Sequence, residues 1–220
     1  MSLNQLKSLL FLFFLLACSS EIARLHKQLL APDPELRAQS AKRVGELKDK
    51  TAVPILLNLL EDSLPLVRFE AGVALGKIGD PRAIELLFNA VKREPYEDIA
   101  IAFTRVLGNF GAKAVDPLIN LTSSSRSLVR KTACQSLGRI GSNKAVDPLL
   151  RCLDDHDQQV RKAAISALRR IGDPRGMEAI AHKLANPDFA TEPATEDALS
   201  GRGYEEQMKK IRSLLYRFNR

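Results

Sequence analysis

The chain has 220 residues, 45% of them apolar and 27% charged, with 33 Lys and Arg against 26 Asp and Glu for a net charge of +7. It is too apolar to be intrinsically disordered and long enough for one or two folded domains. Without Trp, and with three Tyr and nine Phe, it argues against a large aromatic ligand pocket.

From the amino terminus, residues 9–16 form an unbroken Leu/Phe run, preceded by Lys7 and followed by Ala17, Cys18, Ser19 and Ser20. The run is too short to cross a bilayer, which takes about 17–25 helical residues. It has the basic, apolar and small-residue parts of an export signal. Its end, "LLAC", resembles the lipobox of bacterial lipoproteins, with Leu15 three residues before the cysteine and Ala17 the last residue removed; Leu16 departs from the usual small residue. The resemblance implies a signal over residues 1–17, a lipid on the Cys18 thiol, and a mature chain tethered to a bacterial envelope membrane. Ser19, where an Asp would resemble an inner-membrane retention mark, points to the outer membrane if the cell has one. An uncleaved hydrophobic anchor is the alternative.

Beyond it the chain repeats itself. "VRFEAGVALGKIGDPRAIELL" from Val67 returns as "VRKTACQSLGRIGSNKAVDPLL" from Val129 and "VRKAAISALRRIGDPRGMEAI" from Val160. Val53, Ile84, Val115, Val146 and Met177 stand 31 residues apart, marking five copies; Ile22 and Met208 extend the step to a half copy before and a worn copy after.

Each copy predicts two helices. In the first, Val67, Ala71, Ala74, Leu75 and Ile78, like Val160, Ala164, Ala167, Leu168 and Ile171, share one face. In the second the inward face holds Val53, Leu56, Leu57 and Leu60, then Ile84, Leu87, Phe88 and Val91, then Val146, Leu149, Leu150 and Leu153. Gly79, Gly111, Gly141 and Gly172 close the first helices. Pro54, Pro117 and Pro148 sit in the opening turns of the second, where a missing amide hydrogen costs nothing. A further row, Gly45, Gly76, Gly108 and Gly138, lies inside the first helices and implies close helix contact. One copy cannot bury its faces alone, so stability must come from neighbours. The expected fold is all-α, a right-handed α-solenoid of about five full repeats with partial terminal ones.

Residues 18–186 are assigned to this solenoid and 187–220 to a degenerate repeat with a capping helix. The acidic, Pro-bearing stretch 187–197 precedes a stripe of Tyr204, Met208, Ile211, Leu215 and Phe218 suited to sealing the last core or docking a partner.

The pattern "VRxxAxxALGxIGDxxA" followed by "xPLLxxL" resembles the HEAT repeat over about residues 33–186, most of all its short variant in bilin lyases of phycobilisomes. The third copy, "IAIAFTRVLGNFG", departs by lacking the Arg after its leading residue. The resemblance implies that Arg37, Arg68, Arg130 and Arg161 reach acidic turn residues of an adjacent copy, such as Asp62, Asp155 or Asp157. It also implies that the second helices line the inner surface. There Asn58, Asn89, Asn120, Arg151 and His182 occupy one position, a candidate binding row suited to hydrogen bonding a peptide backbone, beside Glu85, Asp116, Asp147 and Glu178.

Cys134 and Cys152 fit no metal spacing; they are buried small hydrophobes or, in an oxidising envelope, a disulfide. Between Arg126 and Arg175 eleven basic residues face five acidic ones, a patch for an acidic partner or anionic headgroups, or a plain solvated surface. The sequon Asn120-Leu121-Thr122 is discounted on a helix. His26, His156 and His182 stand far apart, and no nucleophile, metal or phosphate-loop motif occurs. The resulting expectation is a non-enzymatic, lipid-anchored scaffold that binds a protein or peptide, without metal or cofactor. A bilin-lyase-like enzyme and a nucleic-acid binder are the alternatives; few aromatics weigh against the latter.

Overall fold

The computed structural model describes residues 20–184, and every regular element among them is a helix. Residues 20–29 form α1. First helices α2 (Pro34–Glu46), α4 (Pro65–Ile78), α6 (Glu97–Gly108), α8 (Ser127–Ile140) and α10 (Gln158–Ile171) alternate with second helices. These are α3 (Val53–Leu59), α5 (Ala83–Arg93), α7 (Val115–Leu121), α9 (Val146–Cys152) and α11 (Pro174–Leu184). Cys18, the signal segment and the carboxyl-terminal stripe lie outside the described residues.

Local chemistry sets the boundaries. Pro34 and Pro65 occupy the first turns of α2 and α4, where no amide hydrogen is needed. The Asp33 side chain caps α2 by accepting from the Glu35 amide at 2.9 Å. The helices α4, α8 and α10 end on Gly79, Gly141 and Gly172 in the left-handed region. The first copy has Lys48 at the same position, and it adopts φ 53° with a side chain in place.

The chain forms two compact units that divide within α6, after Val106. In the first, α2 and α3 pack on α4, burying Val44, Val53, Leu56, Val67, Ala71, Leu75 and Leu87. In the second, α8 packs on α10, with α7 against α8 and α9 against α10, burying Leu118, Val129, Leu137, Val146, Leu149, Val160 and Leu168. The expected second-helix stripe needs one change. Leu57, Phe88 and Leu150 are only half-buried, while Leu59, Ala90, Leu121 and Cys152 are buried.

The interior glycines mark where first helices touch. A Cβ on Gly45 would stand 2.7 Å from the Ala74 Cα, and one on Gly138 2.6 Å from the Ala167 Cα, so backbone lies directly against backbone.

Copy three solves a size problem in its own way. An extra residue before α6 makes the copy run one position late, burying Ile99, Ala100, Phe103, Val106 and Leu107. Phe103 falls where other copies have Ser40, Ala71, Ala133 and Ala164, and its ring fits because Gly72 faces it; a Cβ there would be 2.1 Å from the ring. The residue is recovered in the linker. Accordingly α6 stops at Gly108, and Gly111, at φ 61°, begins the 3-10 turn Gly111–Ala114 instead of closing the helix.

A recurring arginine joins copies within each unit. Arg37 holds Asp62 through two bonds of 2.8 and 3.0 Å, Arg68 holds Glu94 at 2.8 and 2.8 Å, and Arg130 holds Asp155 at 2.7 and 2.8 Å. The Nη1 of each also donates to two carbonyls of the turn before its own helix, as does Arg161 Nη1 to Asp155 and His156. Glu94 was not an expected partner; it stands one residue later than its counterparts, within the reach of a longer side chain. Asp157 caps α10 through the Gln159 amide at 2.7 Å.

Candidate functional site

The helices α3 and α5 bring Asn58, exposed, and Asn89, half-exposed, onto the surface of the first unit; α7, α9 and α11 do the same for exposed Asn120, Arg151 and His182 in the second. Each stands one residue before or after a packed position, which turns it away from the core. None of the five makes a side-chain hydrogen bond among the described residues, so their donors and acceptors face solvent. The acids beside them are partly engaged: Asp147 accepts from Arg175 at 3.0 Å, while Asp116 lies 3.9 Å from Lys144.

Next to Asn58 and Asn89 the first unit opens a groove of about 270 Å³. Leu57, Leu60, Leu86 and Ala90 give it apolar walls, Glu61 and Arg93 pair across its rim at 3.2 Å, and the Arg68–Glu94 pair closes one end. Sequence reasoning missed it. The visible signal was Leu57, assigned to the core at an offset that in fact looks sideways into the groove.

Electrostatics at the arginine clamps follow from their geometry. Burial pushes the Asp62 and Asp155 carboxyls up, but the Arg37 and Arg130 guanidiniums and the Leu64 and Asp157 amides outweigh it and hold both below the ordinary carboxylate value. Asp80, bonded by Arg82, is lowered to about 2.

His26 is half-exposed, and its Nε2 lies 2.6 Å from the buried Asp49 carboxylate. Cys134 and Cys152 are buried free thiols. Their mutual hydrogen bond and burial push the Cys134 thiol up. Among the described residues no group of three or more His, Cys, Asp or Glu side chains converges as metal ligands. No helix among them is long and apolar enough to cross a membrane.

The family described as HEAT repeats matches residues 22–108 and 85–169, and the PBS lyase HEAT-like repeat matches residues 160–186. Over 54 residues the chain is 46% identical to deoxyhypusine hydroxylase of Bos taurus, a match covering 24% of this chain and 18% of that protein. The chain therefore spans less than a fifth of the length of that relative. Among solved structures it is similar to the complex of CpcE and CpcF of phycocyanin lyase from Nostoc sp., at 25% identity and TM-score 0.54 over 80% of this chain and 73% of that one. A designed armadillo repeat protein, 18% identical with TM-score 0.50 over 86% of this chain and 97% of its own, shares the α-solenoid fold.

These likenesses correct the expectation of a non-enzymatic scaffold, because the named natural relatives are enzymes. The bilin-lyase-like alternative is the better supported. The physical reason for the error is that a repeat fold assembles a site from copies far apart in sequence, so the groups never form the short motif by which an enzyme is recognised.

Proposed function

This chain belongs to the HEAT-repeat family, and from that premise we propose that it is a lyase-like enzyme, or a subunit of one, that acts on a protein substrate. The observation that carries the proposal is its similarity to the phycocyanin lyase complex over four-fifths of its length, together with a lyase-type repeat at residues 160–186. Joining a group to a protein gains much from placement alone. Holding two reactants in register supplies effective molarities of about 10⁵–10⁸ M in well-oriented cases. The uncommitted amides of Asn58, Asn89 and Asn120, with Arg151 and His182, are the groups proposed to grip the substrate's backbone and polar side chains.

The test is direct. The full chain is incubated with apo-phycocyanin and a linear tetrapyrrole, and covalent adduct is followed by intact-protein mass spectrometry. Adduct formation faster than in the absence of the chain supports the proposal; an unchanged rate with no bound tetrapyrrole removes it.

We further propose Cys18 as a lipid attachment site, on the "LLAC" sequence alone. Each buried acyl methylene contributes about 0.8 kcal/mol, so several chains on one residue hold a protein on a membrane. Labelled palmitate appearing on the wild type and absent from Cys18→Ser supports this; equal labelling contradicts it.

A further inference from the structure

In the second unit, α8 and α10 lie side by side and enclose a groove of about 380 Å³ on the first-helix surface, away from the second-helix row. Its walls repeat at the 31-residue step: Lys131, Gln135 and Arg139 on α8 answer Lys162, Ser166 and Arg170 on α10. Within each helix the three stand four residues apart, on one face and about 12 Å end to end at 1.5 Å per residue. Small residues form the floor, with Ala163 and Ala167 lining it and Gly138 drawing the helices together beneath.

Four cations line this groove and no carboxylate does. None of the four forms an ion pair among the described residues. Lys131 donates to the Gln159 amide at 3.3 Å and Arg139 to Ser136 Oγ at 3.0 Å, both neutral partners. By contrast Arg37, Arg68, Arg130 and Arg175 are each committed to an acid.

The repeat itself does not ask for this charge. The same three positions in the first unit read Ala38, Lys42 and Glu46 on α2, and Phe69, Val73 and Lys77 on α4, on helices that pack in the same way. Backbone stacking therefore tolerates apolar and acidic residues where the second unit has set two Lys and two Arg. Concentrated like charge without counter-charge raises the local potential and favours an anionic partner.

We infer that the groove between α8 and α10 binds an acidic peptide segment. Two lysines at one end and two arginines at the other match carboxylates about four extended residues apart, at roughly 3.3 Å per residue. Gln135 and Ser166 lie between them, and Gln159 at the lysine end, with the donors and acceptors a peptide backbone needs. The floor of alanines admits an extended main chain. A nucleic-acid strand would meet no aromatic side chain among the lining residues on which to stack.

Fluorescence anisotropy of the full chain with a fluorescein-labelled dodecapeptide alternating Glu and Ser tests this. Its Gln-for-Glu counterpart and a twelve-base single-stranded DNA serve as competing probes. The Glu peptide should bind at least tenfold more tightly than either. Lys162→Glu with Arg170→Glu should weaken it at least tenfold, while Lys77→Glu on α4 leaves it unchanged. Should the double charge reversal fail to fold, Lys162→Gln with Arg170→Gln should still lower affinity severalfold. Equal binding of the Gln peptide, equal loss in Lys77→Glu, or DNA binding as tightly as the Glu peptide would each overturn the inference. None of these results depends on lyase activity.

Discussion

Arg130 meets Asp155 side-on, Nε to Oδ2 at 2.7 Å and Nη2 to Oδ1 at 2.8 Å, with only 6% and 10% of their side chains exposed. The same guanidinium also holds the carbonyls of Ser124 and Ser125. One residue thus fixes the turn before its own helix and the turn of the next copy. Such a pair is costly to break from one side, because the remaining charge stays buried without its partner.

Arg130→Ala should therefore lower stability by about 3 kcal/mol, read from urea denaturation. The chain itself shows a neutral substitute. At the copy without the arginine, Ala100 occupies its position, and Ser124 occupies the place of the acid in the following turn. Arg130→Ala combined with Asp155→Ser should accordingly cost less than the sum of the single changes, a coupling that a double-mutant cycle measures.

The clamps also set an acid limit. Asp62 and Asp155 are held below the ordinary carboxylate value of about 3.9, so the fold favours their ionised forms. Their contribution is complete above that value and is lost as pH falls through the lower folded values. Urea midpoints should be level from pH 7 to about pH 5 and decline below about pH 4, with a shallower decline in the Arg130→Ala/Asp155→Ser double variant.

Lys48 carries a side chain where three other copies have glycine with positive φ. Relieving that conformation should outweigh the added freedom of the unfolded chain. Lys48→Gly is expected to raise stability by about 0.5–1 kcal/mol, visible as a higher Tm.

Phe103 and Gly72 form a matched pair. Gly72→Ala drives a methyl into the ring and should destabilise by about 1–3 kcal/mol. Phe103→Leu in the same chain should recover much of that loss, while Phe103→Leu alone should leave a cavity and lower stability. Recovery in the double variant, followed by thermal unfolding, is the decisive comparison.

Much of the architecture was legible because the repeat makes one rule visible several times. The 31-residue step and the closing glycines at 79, 141 and 172 followed from aligned copies, and the arginine ladder from the resemblance to the HEAT repeat. What escaped were departures from the repeat. Lys48 breaks the glycine rule, Glu94 answers Arg68 from one residue further on, and Phe103 uses a neighbour's glycine, a relation that no single copy displays. The candidate site was harder still. The row from Asn58 to His182 could be named by position, but the groove beside Asn58 depends on Leu57 and Leu86 turning sideways. The basic groove depends on two helices meeting over Gly138 and Ala167. Both are products of packing, which spacing along one helix cannot express.

The most direct test of the proposed role of the second-helix surface is adduct formation by a triple variant, Asn58→Ala, Asn89→Ala and Asn120→Ala, in the apo-phycocyanin and tetrapyrrole assay. These side chains support no packing, so Tm should stay within about 1 °C of wild type, while kcat/KM should fall at least tenfold through loss of substrate grip. A triple variant that keeps full kcat/KM would contradict the role assigned to that surface.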